Sequence, residues 1–439
     1  MSPDAEGATP PGSGRLIFRR ELGFFVGLAG ILVAFFAYYA VTWRSFAGFS
    51  GSIDTCGTGL CDFVEYYFPM GQAIFHSPLP VPGFVYSPFM AILMSAFPPL
   101  GLAKAILLWG ALQASAVAAY IVLFRRLIPA DRKVQLLFVA LVVSSFPVLH
   151  NISWGQVGIF TTVAVLAALA LLKRRPVVAA CALALAASFK YFPLAFLAPL
   201  AFRREGRALL LAIAACSGVL FVVPALVLGP ADTFRFYRGL LDAYRGMDWV
   251  AANYNSQFFP HVALRYADAA RFGGAGSLAL FRAISYVIAA LNLVLAYLVH
   301  KVRLPHADLL SNLLVFLTIP FVLTTSWPSD LAFLPFAQGL LAWWMFRPSV
   351  QVAPGVEAGS EASPPQGAQR PRKAAALLML GGSIVVSNVL FFNLIGSRMR
   401  YGAAGFVFWA VLLLVVAAYL DLGPAVWGRL GRAARRVEA

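Results

Sequence analysis

The sequence predicts an all-α, polytopic integral membrane protein, and two observations predict it. Of 439 residues, 61% are hydrophobic and 12% charged, with mean hydropathy +0.80, whereas a soluble domain carries about 25% charged residues. The apolar residues also gather in long runs, which read as membrane helices rather than barrel strands. No stretch reads as a separate soluble domain. The net charge of +16 does not point to nucleic acid. Most Arg and Lys sit in short clusters between apolar runs, as orientation signals do.

The elements follow in order. Residues 1–20 form a cytoplasmic tail, disordered where Pro, Gly and Ala dominate. Arg15, Arg19 and Arg20 precede an apolar run at 22–42 that lacks a small-residue cleavage site. It reads as a retained first span with a cytoplasmic N-terminus. Further spans are expected at roughly 103–124, 134–150, 157–172, 176–189, 191–202, 208–228, 281–299, 309–326, 331–346, 374–394 and 402–421. With these twelve spans, the basic clusters at 125–133, 173–175, 203–207, 301–303, 370–373 and 429–436 all fall on the cytoplasmic side, as do both termini. The apolar segment 84–100 is short and holds Pro88, Pro98 and Pro99, so it reads as a helix lying in the outer interface. Region 176–202 is short for two crossings and reads as half-helices meeting at Lys190-Tyr191-Phe192-Pro193. Residues 347–373 read as a disordered cytoplasmic linker. It divides a membrane module, 21–346, from a two-helix membrane segment and basic tail, 374–439. The outer face receives two long loops, 43–102 and 229–280, and function should sit there.

Carboxylates are scarce, so Asp62 in the first outer loop is a candidate for chemistry. In a helix, Asp62, Glu65 and Tyr66 share one face, being three and four residues apart. Asp62 can serve as a general base toward an acceptor hydroxyl, or Asp62 and Glu65 can form a helix-start capping pattern. Asp54 and Asp62 leave a metal site open without requiring one. Cys181 and Cys216 lie in apolar runs as packed thiols. Cys56 and Cys61 share the first outer loop and pair if it faces an oxidising compartment; otherwise they are free thiols. No ligand set for a metal completes around them.

The second outer loop carries Arg235, Arg238, Arg245, Arg265 and Arg271 against Asp232, Asp242, Asp248 and Asp268. It is either a solvated amphipathic loop or a set of guanidiniums for a phosphate. Lys190 sits at the expected outer break, where a lone lysine either neutralises a lipid-linked phosphate or snorkels to the interface. The outer turn Asn151-Ile-Ser-Trp-Gly-Gln156 can touch a sugar or simply join two helices. Its Asn-Ile-Ser match to a glycosylation acceptor is read as chance, so close to the bilayer.

Together these residues resemble the GT-C superfamily of membrane glycosyltransferases, and most specifically glycosyltransferase family 87. Its members are polyprenyl-phosphate-mannose-dependent mannosyltransferases and relatives, the domain long known as DUF2029. The resemblance covers residues 20–340 approximately. Asp62-Phe63-Val64-Glu65-Tyr66-Tyr67 is similar to the family's entry to an interfacial helix. Tyr86-Ser87-Pro88 resembles its Tyr-x-Pro element, Gly155-Gln156 its Gly-Gln turn, and Lys190 to Pro193 its Lys-x-x-Pro break. Asn255-Ser256-Gln257 with Arg265 resembles its Asn-Gln-Ser-to-Arg segment, in reversed Ser-Gln order. Ser326-Trp327 matches part of a late motif, with Ser329-Asp330 where members often carry histidine.

The resemblance implies a GT-C-like fold and an inverting transfer of a hexose, mannose by bias. The donor would be a polyprenyl-phosphate sugar, the acceptor a glycolipid or glycan, and the setting the outer face of the inner or plasma membrane. Asp62 would be the base. Lys190, Arg235, Arg238 and Arg265 would face the donor phosphate. Glu65, Tyr66, Tyr86, Gln156, Asn255, Gln257, Trp327 and Asp330 would hold sugar or acceptor, and a Cys56–Cys61 disulfide would brace the loop. No cofactor is implied, and metal dependence is left open. Two other readings stand beside this one: a transporter or flippase of a lipid-linked or small polar substrate, and a catalytically inactive assembly factor.

Overall fold

The computed structural model describes residues 13–53, 59–203, 206–269, 276–347 and 366–438. The expected N-terminal tail up to residue 12, Asp54, Cys56, Arg271 and the expected linker between 348 and 365 lie outside them. Among the described residues the chain is helical throughout, with no strand and one isolated bridge, Ser145 to Asn388.

Five helical stretches are long and apolar enough to cross a membrane: Leu22–Trp43, Leu102–Leu127, Arg207–Leu228, Gly276–Lys301 and Arg398–Ala433. A sixth arises if Phe146–Trp154 and Gly158–Leu171, bent by 118°, count as one broken span. The first stretch is 6% buried in its most apolar window, so Phe25, Val33, Phe36 and Val41 face outward. Such an apolar surface is stable only in hydrocarbon.

Twelve unbroken spans are not what the chain forms, and the reasons are local. The expected span 134–150 divides at Ser145, whose extended backbone precedes Pro147 in the first turn of Phe146–Trp154. The expected span 374–394 divides at Asn388, whose side chain accepts from Leu390 N and so starts a new helix. The segment 84–100 forms the short helix Pro88–Met94, capped by Ser87, and a 3₁₀ turn at Pro98–Leu100. Neither is a full crossing. The break at Lys190 falls where the sequence puts it. Helix Pro176–Phe189 ends, Lys190 is extended, and a 3₁₀ turn begins at Phe192.

The centre of the fold is the pair Ala307–Val322 and Leu334–Phe346. From Leu309 to Phe321 and from Leu334 to Met345 every residue is buried, the mark of a helix apolar on all sides. Between them, the turn Pro328–Leu331 is carried against Gly158. A Cβ on Gly158 would lie 2.0 Å from Ser329 O, so only glycine admits this approach. The C-terminal segment belongs to the same core. Gln338 Nε2 donates to Ser383 and Ser387 Oγ, both at 3.0 Å, and helix Gln366–Val386 packs along Phe406–Glu438.

Candidate active site

Asp62 stands at the head of a π-helical turn, Phe63–Tyr67, that leads into helix Phe68–Ala73. Such turns turn side chains away from the regular helical register and recur at functional sites. Here Phe63 and Tyr67 are fully buried, while Asp62, Glu65 and Tyr66 line one cavity. The face predicted for these three residues is therefore formed. The Asp62 carboxylate makes no cap hydrogen bond, so the capping alternative is not its role.

The cavity measures about 290 Å³, room for roughly ten waters at the ~30 Å³ each occupies in the liquid. Nine residues singled out in the sequence line it: Asp62, Glu65, Tyr66, Tyr86, Gln156, Lys190, Asn255, Trp327 and Asp330. They come from six separated segments, and one side chain, that of Gln156, joins three of the others. Gln156 Nε2 donates to Asp62 Oδ2. Gln156 Oε1 accepts from Tyr86 Oη at 3.2 Å and from Lys190 Nζ at 3.3 Å. A carboxylate on one side and an ammonium on the other leave the amide a single satisfying orientation. Tyr67 Oη donates to Tyr86 Oη at 2.7 Å, extending the chain behind the wall.

Gln156 is itself held firmly. Its turn begins at Gly155, which closes helix Phe146–Trp154 at φ 66°, the left-handed cap that glycine supplies without strain. Gln113 Nε2 donates to Gln156 O at 2.7 Å, Asn151 Nδ2 to Gln113 Oε1 at 2.9 Å, and Trp109 Nε1 to Gly155 O at 2.8 Å. Asn151 is fully buried, so its amide serves the core.

Lys190 lies opposite, 10% exposed, paired with Asp330, which is 1% exposed. The second Asp330 oxygen accepts from Trp327 N at 2.9 Å. Asp330 is thus both the brace of its own turn and the counter-ion of Lys190. The ammonium also sits 5.7 Å from the Tyr86 ring centroid. It is enclosed by partners in the cavity wall, so snorkelling does not describe it. Ser87 Oγ donates to Ser188 O at 2.7 Å, stitching the Tyr86 segment to the helix that delivers Lys190.

Burial drives the electrostatics. Asp62 is 6% exposed, and desolvation lifts its pKa to about 7, opposed by the Lys190 charge and reinforced by Glu65 and Asp330. Burial likewise pushes the Tyr86 and Tyr67 phenols well above their ordinary value, so both stay protonated hydrogen-bond donors. A carboxylate with a pKa near neutrality, in contact with a cavity, can take a proton from a bound hydroxyl and release it again.

Four predicted residues do not line the cavity. Arg235 is exposed and pairs with Asp232 at 3.1 Å, and Arg238 is exposed on the same helix, Pro230–Arg245. Arg265 donates to the backbone oxygens of Ala403, Asn253 and Ser256. Buried Gln257 donates to Gly402 O at 3.4 Å and accepts from Phe408 N at 3.0 Å. Arg265 and Gln257 therefore fasten the loop region 229–280 to the C-terminal segment. Cys61 is disulfide-bonded; Cys56 lies outside the described residues.

Sequence reasoning missed several lining residues: His150, Tyr244, Trp249 and Asn253, while Trp154 and Tyr191 lie in motifs it named without giving those side chains a role. Trp249 and Trp327 stack at 6.1 Å between centroids and 27° between planes. The aromatics gathered in residues 229–280 are the sequence hint of Tyr244 and Trp249. Gln113, lone amide in an apolar run, was a signal that could have been read. Among the described residues no group of three His, Cys, Asp or Glu is placed to hold a metal ion.

Helical stretches of membrane length and composition mark a multi-pass membrane protein, and its cavity is lined from the loops and short helices that lie between those stretches. Residues 84–326, more than half of the chain, match the model of glycosyltransferase family 87, and the chain belongs to that family. It is a membrane glycosyltransferase. No curated protein and no solved structure matches it.

Proposed function

We propose that the protein transfers a hexose, with inversion, from a polyprenyl-phosphate sugar to a hydroxyl of a glycolipid or glycan on the outer face of the inner or plasma membrane. Asp62 takes the proton of the acceptor hydroxyl as that oxygen attacks the anomeric carbon. The bond from that carbon to the phosphate oxygen breaks, and polyprenyl phosphate leaves with the electron pair. Lys190 faces the negative charge that develops on the leaving oxygen. Gln156 keeps Asp62 and Lys190 in register, and Tyr86, Asn255, Trp327 and Asp330 shape the space for the sugars.

One observation carries the reading: a buried carboxylate with a pKa of about 7 shares a cavity, and a common amide partner, with an ammonium. Mannose is favoured as the sugar by the motifs that resemble the mannosyltransferases of the family. A lipid-linked donor fits the topology, because the basic clusters argue that Asp62 faces away from the cytoplasm, where nucleotide sugars are found. In this reading residues 21–346 are a GT-C-like catalytic module, and residues 374–439 brace it. Arg235 and Arg238 would meet lipid phosphates outside the cavity. Cys56 is the expected partner of Cys61.

The test is transfer of radiolabelled mannose from polyprenyl-phosphate mannose to a total lipid extract by the purified protein and its Asp62→Asn variant. Labelled glycolipid with the wild type alone is expected. Equal labelling by both would remove Asp62 from the reaction.

A further inference from the structure

Most polar side chains along the inner wall of the cavity already have partners in one another: Asp62, Tyr86, Gln156, Lys190 and Asp330 form a closed network. His150 does not. It lines the cavity and is 4% exposed, yet neither ring nitrogen has a hydrogen-bond partner among the described residues. Its ring stacks on Trp154 at 5.5 Å and 13° and lies 5.7 Å from the Phe146 ring. The buried hydroxyl of Tyr191, which lines the same cavity, also has no partner among the described residues. A buried polar atom left unpaired is costly, and natural proteins retain few of them without a use.

We propose that His150 contacts the substrate, its imidazole hydrogen-bonding the hydroxyls of the sugar in the cavity, with Tyr191 as a second contact. This rests on the glycosyltransferase reading above. The chemistry selects the ligand. A neutral imidazole offers one donor and one acceptor, and a phenol offers both. Neighbouring sugar hydroxyls match that pairing, being donors and acceptors themselves. A phosphate oxygen only accepts, and would leave the second ring nitrogen idle. Lys190, which only donates, is the group suited to phosphate.

The experiment compares full-length wild type, His150→Phe and His150→Gln, using polyprenyl-phosphate mannose and a total lipid extract. Phenylalanine keeps the stack on Trp154 and removes both nitrogens; glutamine keeps a donor and an acceptor. If His150 binds sugar, His150→Phe loses roughly 10- to 100-fold in kcat/KM. Its melting temperature is expected to equal or exceed that of wild type, since an unpaired buried polar group is gone. His150→Gln is expected to recover part of the loss. A merely structural histidine predicts the reverse, with stability lost and kcat/KM unchanged, and that result overturns the inference. Should His150→Phe not fold, ring-nitrogen resonances of ¹⁵N-histidine-labelled wild type decide. A donor-induced shift of the His150 signals supports the contact, and silence in a protein that transfers sugar overturns it alone. A wild type that transfers nothing overturns the reading beneath it, and this inference with it.

Discussion

Replacing Asp62 with asparagine should abolish transfer and stabilise the fold, and the second effect has a definite pH signature. The folded-state pKa of Asp62 is about 7 against an ordinary value of 3.8. Below about pH 4 both folded and unfolded chains hold the proton. Between about pH 4 and 7 the folded chain keeps it and the unfolded chain has lost it, so stability falls as pH rises. Above about pH 7 both are ionised and the loss is complete. Three units at about 1.4 kcal/mol each come to about 4 kcal/mol, an upper figure for what the buried charge costs. Asparagine removes the charge and keeps an oxygen for Gln156 Nε2 to donate to. Thermal unfolding in detergent, followed by tryptophan fluorescence at pH 5, 6, 7 and 8, should therefore show Asp62→Asn gaining on wild type with each step. Transfer should fall by about 10²- to 10⁴-fold, the usual worth of a general base. A variant that melts below wild type at every pH, or retains transfer, refutes the reasoning.

Three further outcomes follow from the same geometry. The pH profile of kcat/KM should rise through about 7 and level off; Lys190→Met should move its midpoint up and Glu65→Gln slightly down, and shifts of the same sign in both would contradict the charge assignment. Gln156→Leu should also move the midpoint up while cutting kcat, because it removes the donor that stabilises ionised Asp62; an unmoved profile would deny Gln156 its coupling role. Gly158→Ala, with its Cβ 2.0 Å from Ser329 O, should destabilise by about 1–3 kcal/mol and raise KM by displacing the Asp330 turn, as melting curves and kinetics would show.

The sequence made the membrane class legible because hydropathy is additive along the chain; polar residues in the loops and turns between apolar runs marked Asp62, Glu65, Tyr66, Gln156 and Lys190, and the resemblance to the family's motifs supplied Tyr86, Asn255, Trp327 and Asp330. What it hid depends on three-dimensional packing. A span count assumes that an apolar run is one helix, yet Ser145 and Asn388 each restart one within a run. The arginines of residues 229–280 share a charge sign but not a destination. Arg265 turns to backbone carbonyls and Arg235 to a neighbouring Asp, and nothing in composition separates these from a phosphate ligand. His150 lies in an apolar stretch where a packed histidine is the ordinary expectation. Its importance comes from the partners it lacks, which no sequence displays.

The charge balance of the cavity makes one more prediction. Lys190 is already neutralised by Asp330 before any donor arrives. The phosphate of the donor proposed above would add negative charge to a wall that already holds Asp62, Asp330 and Glu65 against that single ammonium. If the phosphate takes Lys190 for itself, the lysine is withdrawn from Asp62, whose pKa its charge holds down. Both changes disfavour ionised Asp62, so its pKa in the donor complex should stand above the value of about 7 in the free protein. The profile of kcat/KM reports the free enzyme and that of kcat the complex, so the midpoint of kcat should lie at higher pH. Donor binding near pH 7 should also take up protons, seen calorimetrically as a binding enthalpy that changes with the ionisation heat of the buffer. Coincident midpoints, with no buffer dependence of the heat, would mean that the phosphate brings its own counter-charge or binds away from Lys190, and the role given to Lys190 would fall.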